Sequence, residues 1–158
     1  MKKIMVLCVA AACVVWMAGP LADDAGGVRF LNSGKILPAD LPFSEAVQAG
    51  DTLYLSGQIG VVPGTLKLVS GGMTEEAKQT MKNIRATVRM HGYSMGDVVK
   101  CTVMLADIDE WGLFNDVYKT FFDGHYPARS AFGANGLALG ARVEVECLAV
   151  RAPRGARR

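Results

Sequence analysis

The chain has 158 residues, of which 51% are hydrophobic and 20% are charged. This length and composition suit one globular domain with an ordinary buried core and exclude a chain dominated by disorder. The formal charge is +2, but without Lys2 and Lys3 the remaining 15 basic residues face 15 acidic ones. The net charge without these two lysines is therefore zero, which gives no electrostatic reason to expect binding to nucleic acid or to an acidic membrane surface.

The N-terminal residues are typical of a secretory signal peptide. Lys2 and Lys3 precede an apolar run over residues 4–18, and cleavage is expected after Gly19 or after Ala22. The run is too short to span a membrane as a helix. We therefore expect a leader over residues 1–22 and a single domain over residues 23–158 with a short basic tail. The mature protein is expected to be periplasmic or secreted, with no stable membrane association after the leader is removed.

Short strands are predicted in the first part of the mature chain, over residues 28–31, 44–48 and 52–56. Gly50 and Asp51 separate the last two, so residues 44–56 are predicted to form a hairpin. Ser56 and Gly57 then lead into a glycine-rich loop, where small residues would let a ligand approach the backbone closely. An ordinary turn is the alternative.

Two helices and two further strands follow. The first helix is predicted to begin at Thr74, whose hydroxyl would cap it, and to end at Gly92. Its core-facing stripe comprises Ala77, Met81, Ile84 and Val88. A central strand is predicted over residues 97–105, and a last strand over residues 142–150. Between them, a helix over residues 109–123 carries Trp111, Phe114, Tyr118 and Phe121 on one face, with Asn115 off that face.

The last strand and the segment before it contain the candidate functional residues. Because strand side chains alternate, Glu144 and Glu146 share one face of an otherwise apolar strand. Carboxylates are costly to bury, so this face should line a cleft, an interface or solvent. Arg129 offers a planar fork that matches a carboxylate, which makes it a candidate anchor for a small organic acid. A structural ion pair is the alternative role for Arg129.

The mature chain contains two cysteines, Cys101 and Cys147, each within an apolar strand pattern. A disulfide between them is possible in an exported protein, but both positions suit a small buried side chain. The pattern therefore favours two buried free thiols. The histidines and cysteines do not have the spacing of a zinc site.

The order of elements predicts an α+β sheet with two helices on one face. No third helix is available to cover the other face, which carries the two glutamates. We therefore expect a homo-oligomer in which sheets pack around a partly polar interior, with sites between subunits.

Three motifs stand in order: Ser56-Gly57-Gln58, Tyr126-Pro127-Ala128-Arg129-Ser130 and Val143-Glu144-Val145-Glu146. On these motifs, residues 32–151 resemble the RidA family, also called YjgF/YER057c/UK114. The resemblance implies a chorismate-mutase-like α+β fold with a mixed sheet, assembled as a homotrimer with clefts between subunits. It also implies a deaminase that hydrolyses enamines and imines, such as 2-aminoacrylate and 2-iminopropanoate, to 2-oxo acids and ammonia. No metal and no organic cofactor is implied.

The resemblance also assigns roles to individual residues. Arg129 matches the arginine that binds the substrate carboxylate, and Glu144 matches the acid that orients or activates water. The residues expected to line the substrate cleft are Ser56, Gly57, Asn115 and Phe43. Phe43 stands where many active members have a tyrosine, so that hydroxyl is absent, and Ala131 replaces a cysteine found in several members.

Two other functions stay open on the sequence. One is a periplasmic protective protein that binds clients as a holdase without deaminase activity. The other is an endoribonuclease, which the zero charge balance and the lack of an aromatic and basic stripe oppose.

Overall fold

The computed structural model describes residues 27–151. The predicted signal peptide and most of the basic tail lie outside these residues. The described elements, in chain order, are β1 Val28–Leu31, β2 Ala46–Ala49, β3 Thr52–Leu55, β4 Gln58–Ile59, α1 Gly72–Met90, β5 Val98–Leu105, α2 Trp111–Tyr118, β6 Ala128–Gly133 and β7 Val143–Val150. Neither helix is long and apolar enough to cross a membrane.

The strands form one mixed sheet in the spatial order β1-β2-β3-β7-β5-β6, and β4 also pairs with β7. The neighbouring pairs are antiparallel except for β5 and β6, which are parallel. The predicted hairpin is confirmed as β2 and β3, and Gly50 adopts a φ of 57° in its turn. The sequence prediction missed β4 and β6. β4 has only two residues, and β6 is rich in small residues that carry little strand preference.

The helices differ from the prediction at their ends. α1 begins two residues before Thr74, after Gly71 in a left-handed conformation, and no side chain caps it. The capping role predicted for Thr74 is therefore wrong. Gly92 follows the helix with a φ of 80°, which confirms it as the stop signal. The second helix is α-helical only over Trp111–Tyr118, with single 3-10 turns at Ile108–Glu110 and Lys119–Phe121.

Both helices pack on one face of the sheet. The predicted stripe of α1 is buried there with Val143, Val145, Cys147 and Ala149 of β7. The other face of β7 carries Glu144 and Glu146. Tyr54 and Phe132 lie on the same face as these glutamates and are 47% and 48% exposed. The predicted α+β sheet with two helices on one face is confirmed, and within residues 27–151 the glutamate-bearing face stays open.

The prediction of two free thiols is wrong, because Cys101 and Cys147 form a disulfide. The two residues stand directly opposite each other on the antiparallel strands β5 and β7. Their predicted burial is confirmed, since Cys101 is 0% and Cys147 is 2% exposed. The disulfide therefore links the two central strands inside the core.

The disulfide is expected to contribute strongly to stability. It joins residues 46 positions apart. Closing a loop of that length lowers the entropy of the unfolded chain and so raises its free energy by about 4 kcal/mol. Cys101→Ala/Cys147→Ala should lower the free energy of unfolding by about 3–4 kcal/mol in urea denaturation. Dithiothreitol should destabilise the wild type and leave this variant unchanged. Equal stability of the two proteins without reductant would contradict the prediction.

Candidate active site

Arg129 lies on β6, on the face of the sheet that the helices cover. It stands opposite the buried Cys101 in the parallel pairing with β5. Its guanidinium carbon lies 4.7 Å from the ring centroid of Tyr118, 5.7 Å from that of Trp111 and 5.8 Å from that of Phe114. None of the four ion pairs within residues 27–151 includes Arg129. The alternative of a structural ion pair is therefore unsupported in the described part of the chain.

The Arg129 side chain borders a cavity of about 340 Å³. The cavity is lined by Asn115, Tyr118, Lys119, Tyr126, Pro127 and Arg129. Within residues 27–151, the buried Oδ1 of Asn115 and the buried hydroxyl of Tyr118 have no hydrogen-bond partner. Burial raises the pKa of Tyr118 to about 12, although the charge of Arg129 acts in the opposite direction. The tyrosine hydroxyl therefore keeps its proton at neutral pH.

The cavity contains a second basic side chain, Lys119, but its charge is compensated. Lys119 Nζ donates to Asp116 Oδ1 at 2.8 Å, one helical turn away. This pairing raises the pKa of Lys119, first through the hydrogen bond and then through the charge of Asp116. Arg129 is in no ion pair within residues 27–151, whereas Lys119 already shares its charge with Asp116.

Glu144 lies on β7, on the open face of the sheet, opposite Met104 of β5 and Ile59 of β4. Gly57 lies directly against it, since a Cβ placed on Gly57 would overlap the Glu144 carboxylate. Partial burial raises the pKa of Glu144 above its ordinary value of 4.5, and the nearby charge of Glu146 raises it further. Glu144 is therefore a stronger base than a fully solvated carboxylate.

The loop that carries Gly57 is fixed by backbone contacts of its neighbour, Ser56. The Ser56 hydroxyl donates to the carbonyl of Ser44 at 2.7 Å, and its N–H donates to the carbonyl of Glu45 at 3.1 Å. Phe43, directly before Ser44, is 48% exposed. Ser56 thus ties the segment after Phe43 to the loop beside Glu144.

The predicted site residues fall into two groups on opposite faces of the sheet. Arg129 and Asn115 line the cavity on the helix-covered face, and Ala131 packs against the core on that side. Gly57 contacts Glu144 on the open face. A single chain therefore does not bring Arg129 and Glu144 around one ligand.

The contacts between Arg129 and the aromatic residues of α2 were not predicted from the sequence. The spacing of Trp111, Phe114 and Tyr118 indicated one helix face, but nothing indicated which strand it would cover. Asn115, predicted to lie off that face, in fact lines the same cavity as Tyr118. The two residues are three positions apart, close to one helical turn.

Comparison with known proteins gives concordant matches. Residues 34–151 match the family model described as Endoribonuclease L-PSP. The 2-iminobutanoate/2-iminopropanoate deaminase of Mus musculus is 46% identical over 125 residues, which are 79% of this chain and 93% of the relative. RidA from an Antarctic Psychrobacter species, known from a crystal structure, is 34% identical with a TM-score of 0.73. The match covers 78% of this chain and 99% of the RidA chain. The crystal structure of Escherichia coli TdcF with bound serine is 32% identical with a TM-score of 0.72, and the match covers 78% of this chain and 99% of TdcF. The chain belongs to the RidA family.

Proposed function

We propose that this chain is a cofactor-independent deaminase that hydrolyses enamines and 2-imino acids to 2-oxo acids and ammonia. The observation that carries the proposal is Arg129, which borders a cavity and is in no ion pair within residues 27–151. An unpaired guanidinium fork suits a substrate carboxylate. The deaminase name of the mouse relative supports the reaction, and the serine bound to TdcF supports a small ligand related to an amino acid.

The proposed chemistry needs few protein groups. Arg129 binds the substrate carboxylate and thereby fixes the imine carbon, which is already electrophilic when the nitrogen is protonated. Glu144 accepts a proton from water as the water oxygen bonds to that carbon. The proton then passes from Glu144 to the nitrogen, and Glu144 accepts the remaining hydroxyl proton as the carbon–nitrogen bond breaks, which leaves a 2-oxo acid and ammonia. The raised pKa of Glu144 suits a group that must both accept and return a proton.

We further propose that the site forms between subunits of a homotrimer, with Arg129 of one subunit facing Glu144 of its neighbour. The two residues lie on opposite faces of the sheet in one chain, so a shared site requires a second copy. The open face carries exposed aromatic side chains, Tyr54 and Phe132, that such an assembly would cover. The trimer itself is implied by the family resemblance.

We also propose that the protein acts outside the cytoplasm. The N-terminal residues have the pattern of a secretory leader. The Cys101–Cys147 disulfide is the bond expected of a chain that matures in an oxidising compartment. Its physiological substrate would then be an imine that arises or arrives in that compartment.

The deaminase proposal is tested with imines generated by an amino-acid oxidase in the presence of semicarbazide, which traps unreacted imine. The mature protein should suppress trapping. Arg129→Ala should raise KM by about ten- to a hundredfold, because it removes charged hydrogen bonds to the carboxylate. Arg129→Lys should recover only part of the loss, because a lysine lacks the planar fork.

If the wild type does not suppress trapping for several amino acids, the deaminase proposal is wrong for these substrates. The holdase function then becomes the leading hypothesis. Suppression of client aggregation that survives Arg129→Ala would support it.

Gly57→Ala is expected to lower kcat by about ten- to a hundredfold, because a new methyl group displaces the Glu144 carboxylate. The melting temperature should change little, because Glu144 can move toward the open face. Gly96→Ala is a matched control, since its added Cβ would meet only Ser94 Oγ at an ordinary 3.6 Å. Equal kcat values for the two variants would contradict the role given to Gly57.

A further inference from the structure

We propose that Tyr118 is a positioning residue for Arg129. Its ring forms, with Trp111 and Phe114, an aromatic cradle that holds the guanidinium while leaving its N–H donors free for substrate. This inference rests on the proposed deaminase function, and it concerns a set of residues outside the motifs that identify the family.

The aromatic cradle is built by the spacing of α2. Trp111, Phe114 and Tyr118 stand at positions i, i+3 and i+7, which share one helix face. All three ring centroids lie within 6 Å of the Arg129 guanidinium carbon, the range of a cation–π contact. Tyr118 is the nearest, at 4.7 Å.

Tyr118 is itself held rigidly. It is 4% exposed, and its ring lies 5.5 Å from that of Phe114 and 4.8 Å from that of Phe122. A side chain packed on both sides has little freedom to move with the guanidinium it contacts. Tyr118 therefore supplies a fixed surface, and Arg129 adopts the orientation which that surface allows.

Arg142, the arginine in an ion pair within residues 27–151, shows why an aromatic support suits Arg129. Arg142 Nε donates to Glu110 Oε2 at 2.8 Å, and Arg142 Nη2 lies 2.6 Å from Glu110 Oε1 in the same ion pair, so much of its fork is occupied. A carboxylate beside Arg129 would likewise compete with the substrate carboxylate. Aromatic faces attract the cation without accepting its in-plane hydrogen bonds. The cradle thus orients Arg129 and leaves its fork available.

The test is a double-mutant cycle between Tyr118 and Arg129, measured on the mature protein. Tyr118→Phe keeps the ring and should leave KM within about twofold of wild type, while Tyr118→Leu removes the ring face and should raise KM about tenfold. The kcat of Tyr118→Leu should change much less than its KM. In an Arg129→Ala background, Tyr118→Leu should cause no further loss of kcat/KM, because the residue acts through Arg129.

Phe121→Leu is the matched control, because Phe121 also packs against the core but its ring contacts Arg85 and not Arg129. It should leave KM unchanged even if it lowers the melting temperature. If Tyr118→Leu raises KM no more than Phe121→Leu does, or lowers kcat/KM equally with and without Arg129, the inference is wrong and Tyr118 is only a core residue.

Binding of 2-oxobutanoate, measured by calorimetry on the same variants, separates this inference from the proposed function. If the wild type binds this carboxylate but does not hydrolyse imines, the deaminase proposal fails. The dissociation constants of the Tyr118 variants then decide the inference, with the same expected tenfold difference. A wild type that binds no carboxylate overturns it, because Arg129 would then have no ligand to be positioned for.

Discussion

Glu144→Gln is expected to lower kcat by about 10² to 10⁴ and to change KM little. Glutamine keeps the size of the side chain beside Gly57 but cannot take a proton from water. The loss should therefore appear in the chemical step, and a single-turnover measurement with oxidase-generated imine would show it. A kcat within a few-fold of wild type would mean that Glu144 only fills space.

The pH dependence provides a second readout of the same role. The pKa of Glu144 is raised above 4.5, first by burial and then by the charge of Glu146. Because a base must be deprotonated, kcat/KM should fall as the pH drops through this raised pKa. Glu146→Gln removes the neighbouring charge, so it should lower that pKa and move the acid limb of the profile to lower pH. An unchanged limb in Glu146→Gln would contradict the assignment of the limb to Glu144.

The second large effect is recovery of activity from two impaired variants, measured at a substrate concentration well below KM, where each variant alone has little activity. Arg129→Ala and Glu144→Gln, refolded together in equal amounts, should regain about one quarter of the wild-type sites. Random assembly places both variants in about three quarters of trimers, and each of these keeps one of its three sites intact. The physical basis is that Arg129 and Glu144 lie on opposite faces of the sheet, so each comes from a different subunit.

The control mixes Glu144→Gln with Gly57→Ala. Gly57 contacts Glu144 within one chain, so both changes affect the same side of the proposed site. No mixed pair of subunits then restores a complete site, and activity should not exceed that of Gly57→Ala alone. If Arg129→Ala and Glu144→Gln do not complement each other, the site does not form between subunits.

Much of the fold could be predicted from local patterns. The stripe on α1 and the alternation of apolar residues in β7 have the periods of their elements, so each indicated which side chains face the core. The turn at Gly50 likewise marked the hairpin of β2 and β3. The start of α1 was misplaced because Thr74 resembles a capping residue, whereas Gly71 precedes the helix without side-chain capping.

The missed features depend on contacts between distant parts of the chain. β6 is stabilised by parallel pairing with β5, a partner that its own sequence does not indicate. The disulfide requires Cys101 and Cys147 to stand opposite each other, and that register is set by the whole β5–β7 pairing. A pattern of two apolar strands containing one cysteine each is equally compatible with free thiols.

The sequence by itself determined the α+β class, the face of β7 that carries Glu144, and Arg129 as a candidate for carboxylate binding. These follow from side-chain periodicity and from the chemistry of single residues, which are local properties. Only the tertiary structure decided that aromatic rings of α2 hold Arg129, that Gly57 contacts Glu144, and that the two groups lie on opposite faces of one sheet. Those relations arise from the order in which strands pair and from the face on which helices pack, and both are set by burial across the whole domain.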